Sequence, residues 1–176
     1  MTHTQSIAIK NVYYMLAYAF RNLHSEQFKD VETEQFEHIH DLFAAILSKG
    51  IARQLKQGLY REYVEHSDDL VTLKGRIDLH GTTRHRIAQR RQLACEYDEL
   101  SEDNLMNQVV KSTALLLLRH GELEPVRRAA LKKVLLFFAN VGEIELSSVR
   151  WSSIRFGRDN RSYRLLVSIC QLVVEG

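Results

Sequence analysis

The most constraining feature of the sequence is the segment Tyr97–Gln108, YDELSEDNLMNQ, which is typical of a strand that runs into a helix. Ser101 is placed as a helix N-cap, because its hydroxyl can accept a hydrogen bond from a free N–H of the first turn. Glu102 and Asp103 would then place two carboxylates near the positive end of the helix dipole. The segment therefore predicts a capped helix that begins after Ser101.

The helix predicted after Ser101 carries two neighbouring apolar stripes. One stripe consists of Leu105, Val109, Thr113 and Leu116, and the other of Met106, Val110, Ala114 and Leu117. Two adjacent stripes are typical of a helix that is buried over a wide face. We therefore expect this helix to lie in the core, with Leu116 among its buried residues.

The composition is that of an ordinary soluble globular domain. The chain has 176 residues, of which 45% are hydrophobic and 26% charged, with a formal net charge of +2. This length supports one sizeable core, so a single domain over residues 1–176 is predicted and disorder is not. The apolar runs are far shorter than a membrane span, and no secretory signal is recognisable at the N-terminus. We expect a cytoplasmic protein.

Cys95 and Cys170 are the two cysteines of the chain, and they are far apart in sequence. A disulfide framework needs more cysteines, and a zinc site needs ligands at close spacing. Reduced, buried thiols are therefore expected at both positions.

Hydrophobic periodicity predicts four further helices. Two of them are expected at about Asn11–Leu23 and at about Glu34–Gln57. A third begins at Pro125, with Val126, Ala130, Val134, Phe137 and Phe138 facing inwards, and a fourth follows a cap at Asn160. Residues Tyr60–Glu65 and Leu70–Leu73, on either side of turn-forming residues 66–69, predict a hairpin, and Gln92–Tyr97 a third strand. The predicted fold class is α+β, predominantly helical, with about five main helices and a small antiparallel sheet.

The basic stretch Lys74–Arg91 stands out in a chain whose total charge is close to zero. Its 18 residues contain six basic residues and a single acidic one, Asp78. The six are Lys74, Arg76, Arg84, Arg86, Arg90 and Arg91. The stretch is too polar for the core, so we expect either a helix with a frayed end or an extended basic loop. It is a candidate partner-binding surface, and an ordinary solvated surface is the alternative.

No motif for catalysis is present in the sequence. It contains neither a P-loop, nor an acidic residue followed by Glu-x-Lys or Asp-x-Lys, nor G-x-S-x-G. Glu37 and His40 have the spacing of a carboxylate–histidine metal pair, but a second pair is missing, which favours a solvated acidic face. We therefore expect no catalytic residue, no metal site and no cofactor bound by this chain.

Five blocks in order along the chain resemble the McrC family of modification-dependent restriction systems. The first four are KNVYYMLAYAF (10–20), GLYREYV (58–64), LKGRID (73–78) and YDELSEDNLMNQVVKST (97–113), and the fifth is NRSYRLLVSICQLVVEG (160–176). Each block is weak alone, whereas five blocks in the same order over nearly the whole chain are specific. The resemblance covers the N-terminal half of the family, and members typically continue into a PD-(D/E)xK nuclease domain.

The resemblance implies a regulatory and assembly role. The family's partner, McrB, is an AAA+ GTPase that recognises methylated cytosine and forms a ring, and McrC engages this ring, stimulates GTP hydrolysis and brings the nuclease. This implies an McrB-like ring as partner, with methylated DNA contacted through the complex. GTP and Mg²⁺ would be bound by the partner and by the nuclease domain. LKGRID also makes Arg76 a separate candidate, as either a buried structural pair or a ring contact.

A nucleic-acid-binding module is the alternative function. In this interpretation, the basic stretch and a second group of arginines contact a phosphate backbone. The second group consists of Arg150, Arg155, Arg158, Arg161 and Arg164. A purely structural fragment is a third possibility, and it predicts neither ring docking nor DNA binding.

Overall fold

The computed structural model describes residues 3–19, 28, 31, 34, 36–158 and 160–176. Six helices and three strands lie within these residues: α1 (His3–Ala19), α2 (Ile39–Leu55), β1 (Glu62–Leu70), β2 (Arg76–Ile77), α3 (Leu79–Ile87), β3 (Leu93–Ser101), α4 (Leu105–His120), α5 (Pro125–Leu135) and α6 (Tyr163–Glu175). The α+β, predominantly helical fold class is confirmed. Within the described part of the chain, no helix is long and apolar enough to cross a membrane.

The chain forms two compact units. The helical unit contains Met1–Tyr60 and Leu105–Gly176, and the sheet unit is the segment Arg61–Asn104. The single domain predicted over residues 1–176 would require both units to fold together, and it stays a prediction.

The core of the helical unit is built by α2, α4 and α6. In α2, Leu42, Ile46, Leu47 and Ile51 are fully buried. Gly50 allows α6 to approach α2 closely, because a Cβ at this position would lie 2.6 Å from Cδ2 of Leu166. Burial of a wide apolar face on each helix supplies the main driving force for this packing.

The start and the buried face of α4 differ from the prediction. Ser101 is the last residue of β3, and its Oγ accepts a hydrogen bond from the N–H of Asp103 at 3.0 Å. The helix begins only at Leu105, which is 39% exposed, because pairing with β1 extends β3 to Ser101. Leu116 is half-buried, whereas its neighbour Leu117 is 2% exposed. The predicted core helix is thus confirmed, but the cap and the position of Leu116 were wrong.

Helix boundaries elsewhere follow the sequence signals less closely. α1 begins at His3 rather than Asn11, and its predicted end at Leu23 lies outside the described residues. α2 begins at Ile39 rather than Glu34, because His38 has an extended backbone with φ −126° and ψ 145°. The buried carboxylate of Asp41 in its first turn accepts a hydrogen bond from the N–H of Glu124 at 2.8 Å.

α5 and α6 show one confirmed signal and two corrections. Pro125 is at the start of α5 as predicted. Val126 and Phe137 were predicted to face inwards but are 68% and 59% exposed. The buried residues of α5 are Leu131 and Val134, and the helix ends at Leu135, before Phe137. Asn160 does not cap α6 at Tyr163: its amide accepts from the N–H of Gly157 at 2.7 Å and donates to the carbonyl of Arg155 at 3.1 Å, which closes the preceding loop.

A buried polar network joins three parts of the helical unit. The hydroxyl of Tyr163 in α6 accepts a hydrogen bond from the N–H of Tyr60 at 3.0 Å and donates to Oδ1 of Asn107 in α4 at 2.7 Å. The amide of Asn107 donates in turn to the carbonyl of Tyr60 at 2.9 Å. Buried polar groups are costly when they lose their partners, so this network fixes the position of Tyr60 at the end of the unit's first segment.

The sheet unit is a three-stranded antiparallel sheet in the order β1-β3-β2. β1 pairs with β3 over its whole length, from Glu62 opposite Ser101 to Leu70 opposite Leu93. The hairpin predicted around residues 66–69 was wrong, since these residues continue β1. Contacts distant in sequence override the local turn preference: the Tyr97 hydroxyl donates to Asp68 at 2.7 Å, and Asp69 pairs with His85 at 2.8 Å.

Both cysteines are free and buried, as predicted. Burial raises the pKa of the Cys170 thiol from an ordinary value of 9.0 to about 12. The pKa of this thiol is higher in the folded state than in the unfolded state. Its contribution to the free energy of unfolding is therefore fully present below pH 9 and is lost as the pH rises towards about 12.

We expect the Cys170 thiol to resist a soluble thiol reagent in the native protein and to react only after unfolding. The measurement is the rate of labelling by Ellman's reagent at pH 8 in the variant Cys95→Ala, with and without urea. Labelling should follow the urea unfolding transition. Fast labelling of the native variant would contradict the observed burial of Cys170.

Candidate functional site

The basic stretch Lys74–Arg91 lies in the sheet unit and includes helix α3. Asp78 caps this helix, accepting hydrogen bonds from the N–H groups of His80 at 3.0 Å and Gly81 at 3.1 Å. Gly81 lies directly against β3, where a Cβ would be 2.5 Å from Cβ of Ala94. The Thr82 hydroxyl accepts a hydrogen bond from the N–H of Ala94 at 3.0 Å. Of the two forms left open by the sequence, the structure shows a helix, one face of which is held by β3.

The outer face of α3 combines basic and apolar side chains. Arg84 and Arg86 are exposed, and Leu79 and Ile87 are 76% and 78% exposed. Sequence analysis missed the two apolar residues. Their spacing of eight residues, two turns and a little more, is the signal that could have placed them on one side of the helix. Exposed apolar residues beside arginines are typical of the centre of protein interfaces, where arginine and large apolar groups are enriched.

Arg90 and Arg91 follow α3 in the sequence and are also exposed. The chain turns there through Gln89, with φ 56°, and the N–H of Arg90 donates to the carbonyl of His85 at 2.8 Å. We call Leu79, Arg84, Arg86, Ile87, Arg90 and Arg91 the α3 surface. Its four arginines are exposed, and none of them forms an ion pair with another residue in the described part of the chain.

Lys74 and Arg76 differ from the four arginines because they are paired within the sheet unit. The Lys74 ammonium lies 3.2 Å from Glu99 and 3.8 Å from the centre of the Tyr97 ring. Arg76 donates to the carboxylate of Glu96, and this hydrogen bond raises the pKa of the guanidinium. The Arg76 side chain is 79% exposed, so the buried pair considered for it was wrong. Arg76 of the edge strand β2 and Lys74 before it are thus tied to the central strand β3.

Tyr97 is the centre of the contacts on this part of the sheet. Its ring stacks on His66 with centroids 5.3 Å apart. The hydrogen bond from its hydroxyl to Asp68 is the main reason why its pKa is raised, so the proton stays on the tyrosine. Gly75 lies against the Tyr97 backbone with φ +67°. These contacts keep the segment before α3 in place.

The second predicted group of arginines lies in the helical unit. Arg150, Arg155 and Arg158 are exposed in the irregular segment between α5 and α6. Arg161 and Arg164 line a cavity of about 600 Å³ at the start of α6. Arg53 of α2 lines the same cavity, and sequence analysis did not single it out. The structure therefore brings Arg161 and Arg164 together with Arg53.

In the described ranges, residues 3–19, 28, 31, 34, 36–158 and 160–176, no group of three or more His, Cys, Asp or Glu side chains is placed to hold a metal ion. His38 pairs with Glu122 at 2.9 Å. The predicted absence of catalytic residues and of bound cofactors stays a prediction.

The sequence matches a known protein family over nearly its whole length. A family model described as "McrBC 5-methylcytosine restriction system component" matches residues 2–176. The chain belongs to this family. The resemblance to McrC seen in the five sequence blocks is thus confirmed.

This McrBC-family chain is similar to a curated relative and to two solved structures. It is 26% identical over 168 residues to the Escherichia coli K12 protein "Type IV methyl-directed restriction enzyme EcoKMcrBC", covering 96% of this chain and 48% of the relative. A cryo-EM structure of the Thermococcus gammatolerans McrBC complex matches with a TM-score of 0.73 at 22% identity, over 93% of this chain and 50% of that one. The chain spans about half the length of the curated relative.

The second solved structure adds an assembly. A half-complex of a tetradecameric assembly of Thermococcus gammatolerans McrB AAA+ hexamers with bound McrC matches with a TM-score of 0.78 at 21% identity, over 93% of this chain and 40% of that one. At this level of identity, both solved structures show that the fold is shared.

Proposed function

We propose that this chain is the N-terminal module of an McrC-like subunit, which docks on an McrB-like AAA+ GTPase ring in the cytoplasm and stimulates GTP hydrolysis. The α3 surface carries the proposal, since its four arginines, which form no ion pair with any described residue, and its two exposed apolar residues lie on one small unit. Coupling to cleavage of methylated DNA would be the task of a nuclease domain outside residues 1–176. Membership of the family and the shared fold with ring-bound McrC support this role.

The chemistry of the α3 surface suits an acidic or phosphate-bearing partner. A guanidinium forms paired hydrogen bonds with a carboxylate or phosphate and remains charged, at a modest desolvation cost. Leu79 and Ile87 would add apolar burial at the same contact. Lys74 and Arg76 would contribute by holding the sheet edge, because both already have acidic partners.

We further propose that the chain supplies no catalytic group of its own. The sequence lacks the acidic and lysine residues that phosphodiester cleavage requires and lacks a P-loop for a nucleotide. Purified chain with Mg²⁺ should therefore cut neither methylated nor unmethylated DNA.

Replacement of Arg84, Arg86, Arg90 and Arg91 together by Ala should lower stimulation of the cognate ring's GTPase by at least about ten-fold, because interface arginines are often hot spots. The melting temperature should change little, since exposed charges contribute little to folding. The measurement is GTP hydrolysis at fixed ring concentration as the chain is titrated, together with co-elution of chain and ring.

The matched control replaces Lys132, Lys133, Arg150 and Arg158 together by Ala. These four residues are also exposed basic side chains, but they lie in the helical unit. Full stimulation by the control and loss of stimulation by the α3 variant support the proposal. Equal loss in both variants would mean that net charge rather than the α3 surface drives docking, and no stimulation by the wild-type chain would overturn the proposed role.

A further inference from the structure

A cleft in the helical unit collects positive charge from two helices that are distant in sequence. Arg53 and Gln57 come from the end of α2 and the residues after it, and Arg161 and Arg164 come from the start of α6. The cavity between them measures about 600 Å³. All three guanidinium side chains are exposed to solvent. We call this feature the arginine cleft.

The base of the arginine cleft is ordered by hydrogen bonds. The amide of the buried residue Gln54 donates to the carbonyl of Gly58 at 3.0 Å and accepts a hydrogen bond from the Ser162 hydroxyl at 2.7 Å. Ser162 precedes the first turn of α6, which contains no acidic residue. The positive end of the helix dipole therefore adds to the positive field of the arginines.

No described residue neutralises the charge in the arginine cleft. No acidic side chain is among the described residues that line it. Arg53, Arg161 and Arg164 also form no ion pair with any residue in the part of the chain that the structure describes. Three unpaired cations around one concave surface attract anions, and a cleft lined by one sign of charge raises the local anion concentration.

We infer that the arginine cleft binds phosphate groups of a duplex DNA backbone. Sites for small molecules are mostly apolar and place a few buried polar groups around the ligand, whereas the charged groups here are exposed. Exposed arginines are suited to a repeating row of phosphates, which are contacted without reading the bases. This site is separate from the α3 surface, so it adds a second contact to the proposed function and does not depend on ring docking.

The test measures binding of a fluorescently labelled 24-base-pair unmethylated duplex to the full chain at several salt concentrations. Each phosphate neutralised in B-form DNA contributes about 0.9 to the slope of log affinity against log salt, so replacing Arg53, Arg161 and Arg164 together by Gln should reduce the slope by about 3. Affinity at low salt should fall by at least about ten-fold. The variant Arg53→Lys should keep most of the slope, because the charge remains.

The matched control replaces Lys10, Lys132 and Lys133 by Gln, which removes the same charge from exposed positions of the helical unit outside the arginine cleft. An unchanged slope in this control, with a reduced slope in the cleft variant, supports the inference. Three results would each overturn the inference. They are an equal loss of slope in both variants, no binding of duplex by the wild-type chain, or binding of GTP or pyrophosphate that duplex cannot displace. Circular dichroism melts of all variants show whether a loss of DNA binding arises from unfolding. If the triple variant is unfolded, the salt slopes of the single variants Arg161→Gln and Arg164→Gln test the inference instead.

Discussion

Replacement of Leu117 by Ala is expected to lower the free energy of unfolding by about 2–5 kcal/mol. The side chain is 2% exposed and lies in the core cluster of the helical unit, together with Val110 and Ala114 of the same helix. Truncation removes buried methyl groups and leaves a cavity that the surrounding helices fill only partly. Urea unfolding followed by circular dichroism measures the change.

Leu116 provides the matched control, because it is the same residue type at the next position of α4. It is half-buried, so Leu116→Ala should cost only about 1 kcal/mol. The pair of variants has the same helix propensity and differs only in burial. A larger effect at Leu116 than at Leu117 would mean that the buried face of α4 has been assigned wrongly.

Gly75→Ala is expected to disrupt the sheet unit. Its φ of +67° lies in the left-handed region, and a Cβ would be 2.4 Å from the carbonyl oxygen of Glu96 and 2.5 Å from Cβ of Tyr97. The left-handed conformation alone costs a non-glycine residue about 1–2 kcal/mol. The clash adds to this, because the obstructing atoms belong largely to the backbone of the central strand β3 and cannot move aside cheaply. Hydrogen exchange of β3 amides measures the loss of pairing.

Gly58→Ala is the control for the Gly75 variant. Gly58 also has a positive φ, +87°, but no atom lies within 4 Å of a Cβ placed there. It should therefore show the conformational cost without the clash, and β3 should keep its protection. Because α3 and the α3 surface are held by β3, Gly75→Ala should also reduce stimulation of the GTPase ring. Normal exchange of β3 in the Gly75 variant would contradict the close packing seen at this position.

The regular helices of the helical unit were predictable because their signals are local. The apolar stripes after Leu105 and the proline at position 125 depend on residues within a few turns of one another. The fold class and the family resemblance follow from such patterns along the whole chain. The cap at Ser101 failed for a different reason: pairing with Glu62, a distant residue, extends the strand through Ser101 and delays the helix.

The same distinction between local and long-range signals applies to the basic stretch Lys74–Arg91. The cluster of basic residues at Lys74–Arg91 is visible in the sequence, but the sequence does not distinguish residues with internal partners from those without. Glu96 and Glu99 of β3 pair with Arg76 and Lys74, and this choice depends on the order β1-β3-β2. Among the described residues, the four arginines of the α3 surface have no ion-pair partner, because the inner face of α3 contacts β3 through Gly81 and Thr82 while His85 pairs with Asp69 of β1.

The sequence by itself determined the helical character of the chain, its reduced buried cysteines and its membership of a restriction-system family, since periodicity, composition and ordered blocks are properties of the linear chain. The tertiary structure decided the strand register, the side of α3 that faces solvent and the meeting of Arg53 with Arg161 and Arg164. The physical reason is that these features depend on packing between elements far apart in sequence, where burial and cross-strand hydrogen bonds outweigh local preferences.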